Sequence, residues 1–130
     1  RFGLKDALED YCDHLRQADT LDIHFQAFGM EERLPQETEV VTFRIAQELL
    51  NNVVRHSGAT QTLVQLLRDG NRVTLTVEDN GKGFDAESLE RVQGVGWMNI
   101  HSRVNYLDGT LDVRTAPGKG CSITIEYEIA

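Results

Sequence analysis

The sequence predicts an α+β fold, a two-layer sandwich in which a mixed, mostly antiparallel sheet is covered on one face by helices. Three observations predict it. Apolar residues recur at helical spacing in two segments of the first half, apolar and polar residues alternate in five short runs, and turn-forming Asp-Gly and Pro-Gly pairs separate the later runs.

From Leu4 to Ala18, the residues Leu4, Ala7, Leu8, Tyr11 and Leu15 form one helical stripe. Leu21, Ile23, Phe25 and Ala27 then alternate with polar residues, the mark of a strand with one buried face. Pro35 suits the entry of a long helix predicted to run to about His56, with Ser57-Gly58 as its stop. Thr60 to Leu67 and Arg72 to Asp79 are strand-like, and Asp69-Gly70-Asn71 between them is hairpin-turn chemistry. Asn80 to Gly96 is rich in glycine and has no sustained period, so a long loop is expected there. Trp97 to Leu107 reads as a short helix with Trp97, Ile100, Val104 and Leu107 inward. Asp108-Gly109 turns the chain into Thr110–Arg114, and Pro117-Gly118 turns it into a last strand, Cys121–Ile129. No repeat, low-complexity tract or linker divides the chain, so a single domain over residues 1–130 is expected.

Composition narrows the function. Thirteen basic against 21 acidic residues leave a formal charge of −8. Such a field disfavours non-specific binding to nucleic acid or to anionic membranes, and a polyanionic ligand must be held by local features. No apolar run approaches the roughly 20 residues of a membrane span. The start, Arg1-Phe2-Gly3-Leu4, has neither an initiator Met nor a signal-peptide core and reads as the middle of a longer protein. Cys12 and Cys121 lack metal-type spacing and fit a reduced, cytoplasmic setting.

Three features carry chemistry. On the long helix, Glu48, Asn52 and His56 follow one another at four-residue steps, a polar stripe about 12 Å long in α-helical geometry, with Arg44 and Arg55 beside it. An amide, a carboxylate and an imidazole in line can hold a hydrated metal and phosphate oxygens; Mg²⁺, which keeps several waters, needs only one Asn oxygen besides phosphates. Solvation of a surface helix produces the same pattern. The second feature is Asp79, which shares a strand face with Val73, Leu75 and Val77 and is expected to be largely buried. A buried carboxylate needs donors. The exocyclic amino group of adenine is one, whereas guanine presents a carbonyl there; capping of the Asn80-Gly81 turn is the structural alternative. The third is glycine. Gly81 and Gly83 follow Asp79, and Gly94 and Gly96 stand just before a predicted helix start, where free N–H groups favour phosphate. Glycines at both ends of Phe84 to Gln93 point to a hinged lid. The chain has no GxxxxGK[ST] P-loop, and Gly94-Val95-Gly96 does not follow a strand as a dinucleotide-binding fingerprint would.

Taken in order, these motifs resemble those of the ATP-binding catalytic domains of bacterial sensor histidine kinases. Gln47-Glu48-Leu49-Leu50-Asn51-Asn52-Val53-Val54-Arg55-His56 is similar to their N box. Asp79-Asn80-Gly81-Lys82-Gly83-Phe84 is similar to their first glycine box, Gly94-Val95-Gly96 with Trp97 to Arg103 to the second, and Pro117-Gly118-Lys119-Gly120 to the lead-in of the final strand. The resemblance covers about residues 36–129, and Asn99-Ile100-His101-Ser102-Arg103 looks most like the nitrate-sensor and membrane-fluidity-sensor subfamily.

The resemblance implies the GHKL (Bergerat) ATP-binding fold, with ATP and Mg²⁺ as ligands. It implies that Asn52 holds Mg²⁺, that Asp79 reads the adenine amino group with Gly83 helping to shape the base pocket, and that Gly81 and Lys82 of the same box also bind the nucleotide. Arg55 and His56 would lie near the phosphates, Gly94 and Gly96 would contact them, and Glu48 would orient the metal's waters or help activate the acceptor imidazole. Two positions depart from the pattern: Trp97 stands where Leu is usual, and Cys121 stands where Thr is frequent, on the inward face with Ile123 and Ile125. A thiol is a weak donor, which puts in doubt a hydroxyl-to-water link to adenine through Cys121.

The implied reaction moves the γ-phosphoryl group of ATP to a histidine on a separate dimerisation and phosphoacceptor domain of the same kinase, with a response regulator downstream and no nucleic-acid or direct membrane contact by this domain. His14, His24 and His101 lack the setting of an acceptor. The competing readings are an anti-sigma-factor-type serine kinase and an ATP-binding regulatory module without kinase activity.

Overall fold

The computed structural model describes residues 3–18, 21–83 and 95–129. Helix α1 (Leu4–Ala18) is followed by strand β1 (Asp22–Phe28), helix α2 (Gln36–Asn52), strands β2 (Gln61–Asp69) and β3 (Arg72–Asp79), helix α3 (Val95–Tyr106), and strands β4 (Thr110–Thr115) and β5 (Cys121–Glu128). The sheet order is β1-β2-β3-β5-β4. β1 pairs with β2 in parallel, and the other neighbours are antiparallel. A parallel pair needs a crossover connection, and α2 supplies it, lying between α1 and α3 with contacts to both.

Alternation along the strands decides which face α2 covers. Across β2, β3 and β5, the register aligns Leu66, Leu75 and Ile125 in one row and Val64, Val77 and Ile123 in the next. All six are buried, as are Ile45, Ala46, Leu49, Leu50 and Val53 of the opposing helix. Burying one such aliphatic side chain contributes about 1.5–3 kcal/mol, so these rows and the inner face of α2 hold the layers together. Their residues are those the period predicts. On α1, Leu4, Leu8, Cys12 and Leu15 are buried. Cys12 lies fully inside the core, because it falls on the same helical face as Leu8 and Leu15.

The long helix differs from the expectation of an α-helix to about His56. It is α-helical only to Asn52, and Val53–Ser57 form a π-helical turn ending at Gly58. The wider i→i+5 turn breaks the α register after Asn52, so Glu48, Asn52 and His56 do not share one uninterrupted four-residue ladder. Ser57 Oγ donates to Val53 O at 2.7 Å and accepts from Ala59 N at 2.9 Å, closing this turn and starting the connector to β2.

The other end of α2 is fixed by charge. Glu39, 7% exposed, accepts from Arg33 Nη2 at 2.7 Å and from Leu34 N at 3.1 Å. Further along, Tyr127 OH and Thr42 Oγ1 are 2.7 Å apart, and Thr42 Oγ1 donates to Thr38 O, which tie α2 to β5. Burial works to raise the pKa of Glu39, but Arg33 and the Leu34 N–H outweigh it and hold the carboxyl below its usual range. A carboxyl displaced downward contributes stability above its unfolded value near ~4.3, and that contribution is lost as pH falls through the folded value. Arg33 is 53% exposed, so solvent screens part of the attraction. Glu39→Gln should therefore lower stability at neutral pH by about 1–3 kcal/mol and flatten the acid limb of a melting-temperature series taken downward from neutral pH. An unaltered acid limb would remove Glu39 as its cause.

Candidate functional site

The third row of the same ladder is polar. Beyond Val64, Val77 and Ile123 the register aligns Thr62, Asp79 and Cys121, side by side on the face that α2 covers. Asp79, the last residue of β3, is half-buried, not largely buried as its strand position predicts. Oδ1 accepts from Gly81 N at 2.8 Å, the turn cap expected of an Asp in this sequence. This is the one hydrogen bond of the carboxylate among the described residues, and it leaves Oδ2 free there. Burial raises the pKa of Asp79 and the Gly81 N–H opposes the rise; the net shift is upward. Cys121 is buried, and its thiol is pushed up to about 11 by burial and then by the charge of Asp79, against a hydrogen bond with Thr115. It is a neutral thiol at physiological pH.

Backbone contacts bring the N box and the first glycine box together. Lys82 N donates to Ser57 O at 2.8 Å. A Cβ at Gly81 would lie 2.4 Å from Ser57 O and 2.9 Å from Asp79 Oδ1, so only glycine permits this approach. Asn80 Oδ1 accepts from Thr60 N and Gln61 N at 2.9 and 3.0 Å, which locks the connector onto the start of β2. Gly83 lies against the loop before β5, where Lys82 O accepts from Gly118 N. Gly120, at φ +76°, passes so close to β3 that a Cβ would sit 2.3 Å from Asp79 O.

The remaining predicted positions fall as follows. Asn52 closes α2 and is half-buried, without a side-chain hydrogen bond among the described residues, whereas the amide of Asn51 is engaged by Tyr11 OH at 2.9 Å. Glu48 is half-buried, and Arg55 and Lys82 are exposed. His56 belongs to the π turn; its side chain lies outside the described residues, as do Gly94 and the expected lid, Phe84 to Gln93. α3 begins at Val95, so Gly96 sits in its first turn and not before it. First-turn N–H groups have no partner within the helix, so glycine is tolerated there and the groups stay available. Trp97 is buried, with its ring 5.7 Å from that of His101.

Among the described residues no cluster of three or more His, Cys, Asp or Glu side chains is placed to hold a metal. A lone uncommitted amide such as that of Asn52 fits Mg²⁺, which takes its other oxygens from phosphates and water. A surface depression bounded by His24, Gln26, Leu63, Glu78, Arg114 and Ser122 also reaches Thr62, Asp79 and Cys121 at the end of the sheet. The first six alternate with the Thr62–Asp79–Cys121 row along the strands, so the depression lies mainly on the uncovered face and meets the row at the sheet's end. Two residues of the site go unmarked in the sequence reading. Ser57 looks there like a plain helix stop, and Thr62 is a polar residue on the inward period of Val64 and Leu66, which is the signal that marks it.

Residues 37–130 match the model of the histidine kinase-, DNA gyrase B- and HSP90-like ATPases. The chain belongs to this family. ATP is thus the nucleotide that the domain binds. The chain is 34% identical over 128 residues to the signal transduction histidine-protein kinase/phosphatase DegS of Brevibacillus brevis, covering 98% of this chain and 33% of DegS. It is 34% identical over 128 residues to the sensor histidine kinase ComP of Bacillus subtilis, covering 98% of this chain and 17% of ComP. The chain therefore spans a third or less of the length of these relatives. The histidine kinase domain of the Erythrobacter litoralis EL346 blue-light activated histidine kinase superposes with a TM-score of 0.80 over 98% of this chain and 62% of that one, at 21% identity, which shows the shared fold. No helix among the described residues of this ATPase domain is long and apolar enough to cross a membrane.

The approach of Gly120 to Asp79 O is testable. Gly120→Ala should lower the stability of the domain by at least about 1–2 kcal/mol, the cost of a side chain in the left-handed region, read from urea unfolding. An unchanged midpoint would show that the β3–β5 contact does not constrain Asp79.

Proposed function

We propose that this ATPase domain is the catalytic part of a sensor histidine kinase, which binds Mg-ATP and donates the γ-phosphoryl group to a histidine on a separate dimerisation domain. The observation that carries the reading is the half-buried Asp79 carboxylate, with one oxygen capping its own turn and the other free among the described residues, beside a helix end that offers an uncommitted amide. The free oxygen would accept from the exocyclic amino group of adenine and discriminate against guanine, which has an oxygen in that place. Gly81 and Gly83 let the base lie against backbone, with Lys82 at the rim. Arg55 and His56 would approach the phosphates, and Gly94 and Gly96 would offer N–H groups to them at the start of α3.

Asn52 would hold Mg²⁺; when bound, the metal supplies charge neutralisation across the phosphate oxygens. The protein's own contribution is positioning: the acceptor imidazole attacks phosphorus, the bond to the β-phosphate oxygen breaks, and ADP leaves. Glu48 would orient the water shell of the metal or take the proton of the acceptor imidazole. The phosphorylated histidine would then serve a response regulator. The formal charge of −8 disfavours nucleic acid and anionic membrane surfaces as partners, and the domain would work in the cytoplasm within a longer kinase.

Asp79→Asn should weaken ATP binding by about 1–3 kcal/mol with the fold intact; titration calorimetry that finds the ATP affinity unchanged would remove Asp79 as the base reader. Asn52→Ala should abolish the Mg²⁺ dependence of ATP binding, and the same metal titration curve in both proteins would exclude Asn52 as the ligand.

A further inference from the structure

Thr62 is 3% exposed, and its hydroxyl oxygen is buried without a hydrogen-bond partner among the described residues. A hydroxyl sealed this way is destabilising, since valine fills nearly the same shape without a polar group to desolvate. Its position gives the reason for its presence. Asn80 N donates to Gln61 O, so Gln61 and Asn80 form a hydrogen-bonded pair of the antiparallel ladder. The adjoining pair, Thr62 opposite Asp79, is then of the non-hydrogen-bonded kind, with Cα atoms about 4.5 Å apart and side chains close. A strand threonine has more than one staggered position for its hydroxyl, and Asp79 is its partner across the ladder.

We propose that Thr62 is a positioning residue for Asp79: when adenine occupies the site, the Thr62 hydroxyl donates to the carboxylate oxygen that the Gly81 N–H leaves free. This rests on the reading of Asp79 as the residue that meets the base. In the free protein the open half of the carboxylate is hydrated. A seated base excludes that water, and the charge then needs a second protein donor. Cys121, on the other side of Asp79 in the same row, is a weak donor; Thr62 is the strong one. A carboxylate has acceptor sites enough for Gly81, Thr62 and the adenine amino group together. Thr62 thus supplies, from β2, a hydroxyl beside the carboxylate that the Cys121 side of the row lacks.

The experiment is titration calorimetry of wild type, Thr62→Val, Thr62→Ser and Asp79→Asn with ATP and with purine riboside triphosphate, which lacks the exocyclic amino group, alongside melting of the free proteins. Thr62→Val should bind ATP about five- to tenfold more weakly, Thr62→Ser should bind within about twofold of wild type, and the free Thr62→Val protein should melt at the same temperature or higher. With purine riboside triphosphate the Val and wild-type proteins should bind alike, because the amino group that Asp79 is being held to receive is missing. Equal losses for both nucleotides, or Thr62→Val binding ATP as wild type while Asp79→Asn does not, would overturn the role of Thr62 and leave that of Asp79 standing. Asp79→Asn binding ATP unchanged would instead sink the underlying reading. If Thr62→Val does not fold, Thr62→Cys, which keeps the size and weakens the donor, takes its place with the same expected outcomes.

Discussion

A carboxylate can sit at the margin of an apolar face only where donors replace the water it gives up. One end of this sheet is organised around that requirement. Two rows of aliphatic residues bind the sheet to α2, and the third row, in the same register, holds Thr62, Asp79 and Cys121. Gly81 N–H answers half of the demand, no second donor reaches the carboxylate among the described residues, and burial displaces the Asp79 pKa upward. An acceptor left short of donors at the mouth of a hydrophobic layer is the chemical description of a binding site.

The turns around that carboxylate are built to hold it still. Ser57 closes the π turn through its hydroxyl and receives Lys82 N on its carbonyl, Gly81 fits where no other residue would, and Gly120 runs against the carbonyl of Asp79. π turns arise where an α-helix absorbs an extra residue, often at functional sites; here the turn starts directly after Asn52. The same turn that breaks the helical ladder therefore delivers the chain to the glycine box.

Much of this was legible in the sequence. The strand alternation yields the inner face, the Asp-Gly and Pro-Gly pairs yield the hairpins, and the apolar stripe of α2 yields the buried side, because each is a local periodic signal that tertiary packing only reinforces. Asp79 declares itself as a charge on an apolar period. The π turn does not, since nothing local in Val53 to Ser57 dictates a π turn over an α turn; there the long-range bond from Lys82 N holds Ser57 O. The degree of burial of Asp79 and the orphaned hydroxyl of Thr62 likewise depend on how far the helices reach over the sheet, which no single segment encodes.

The connector between α2 and β2 has a mechanical consequence. Only three residues, Gly58 to Thr60, separate the π turn from the strand, and Asn80 grips the start of β2 while Ser57 grips the loop after β3. Asn52 and Asp79, the proposed metal ligand and base reader, consequently belong to one stiff block, unable to separate without breaking several backbone links at once. On the proposed reading the affinity for the base is thereby preset, and a signal that modulates turnover would act on the remaining boundary of the phosphate-binding space or on the approach of the acceptor.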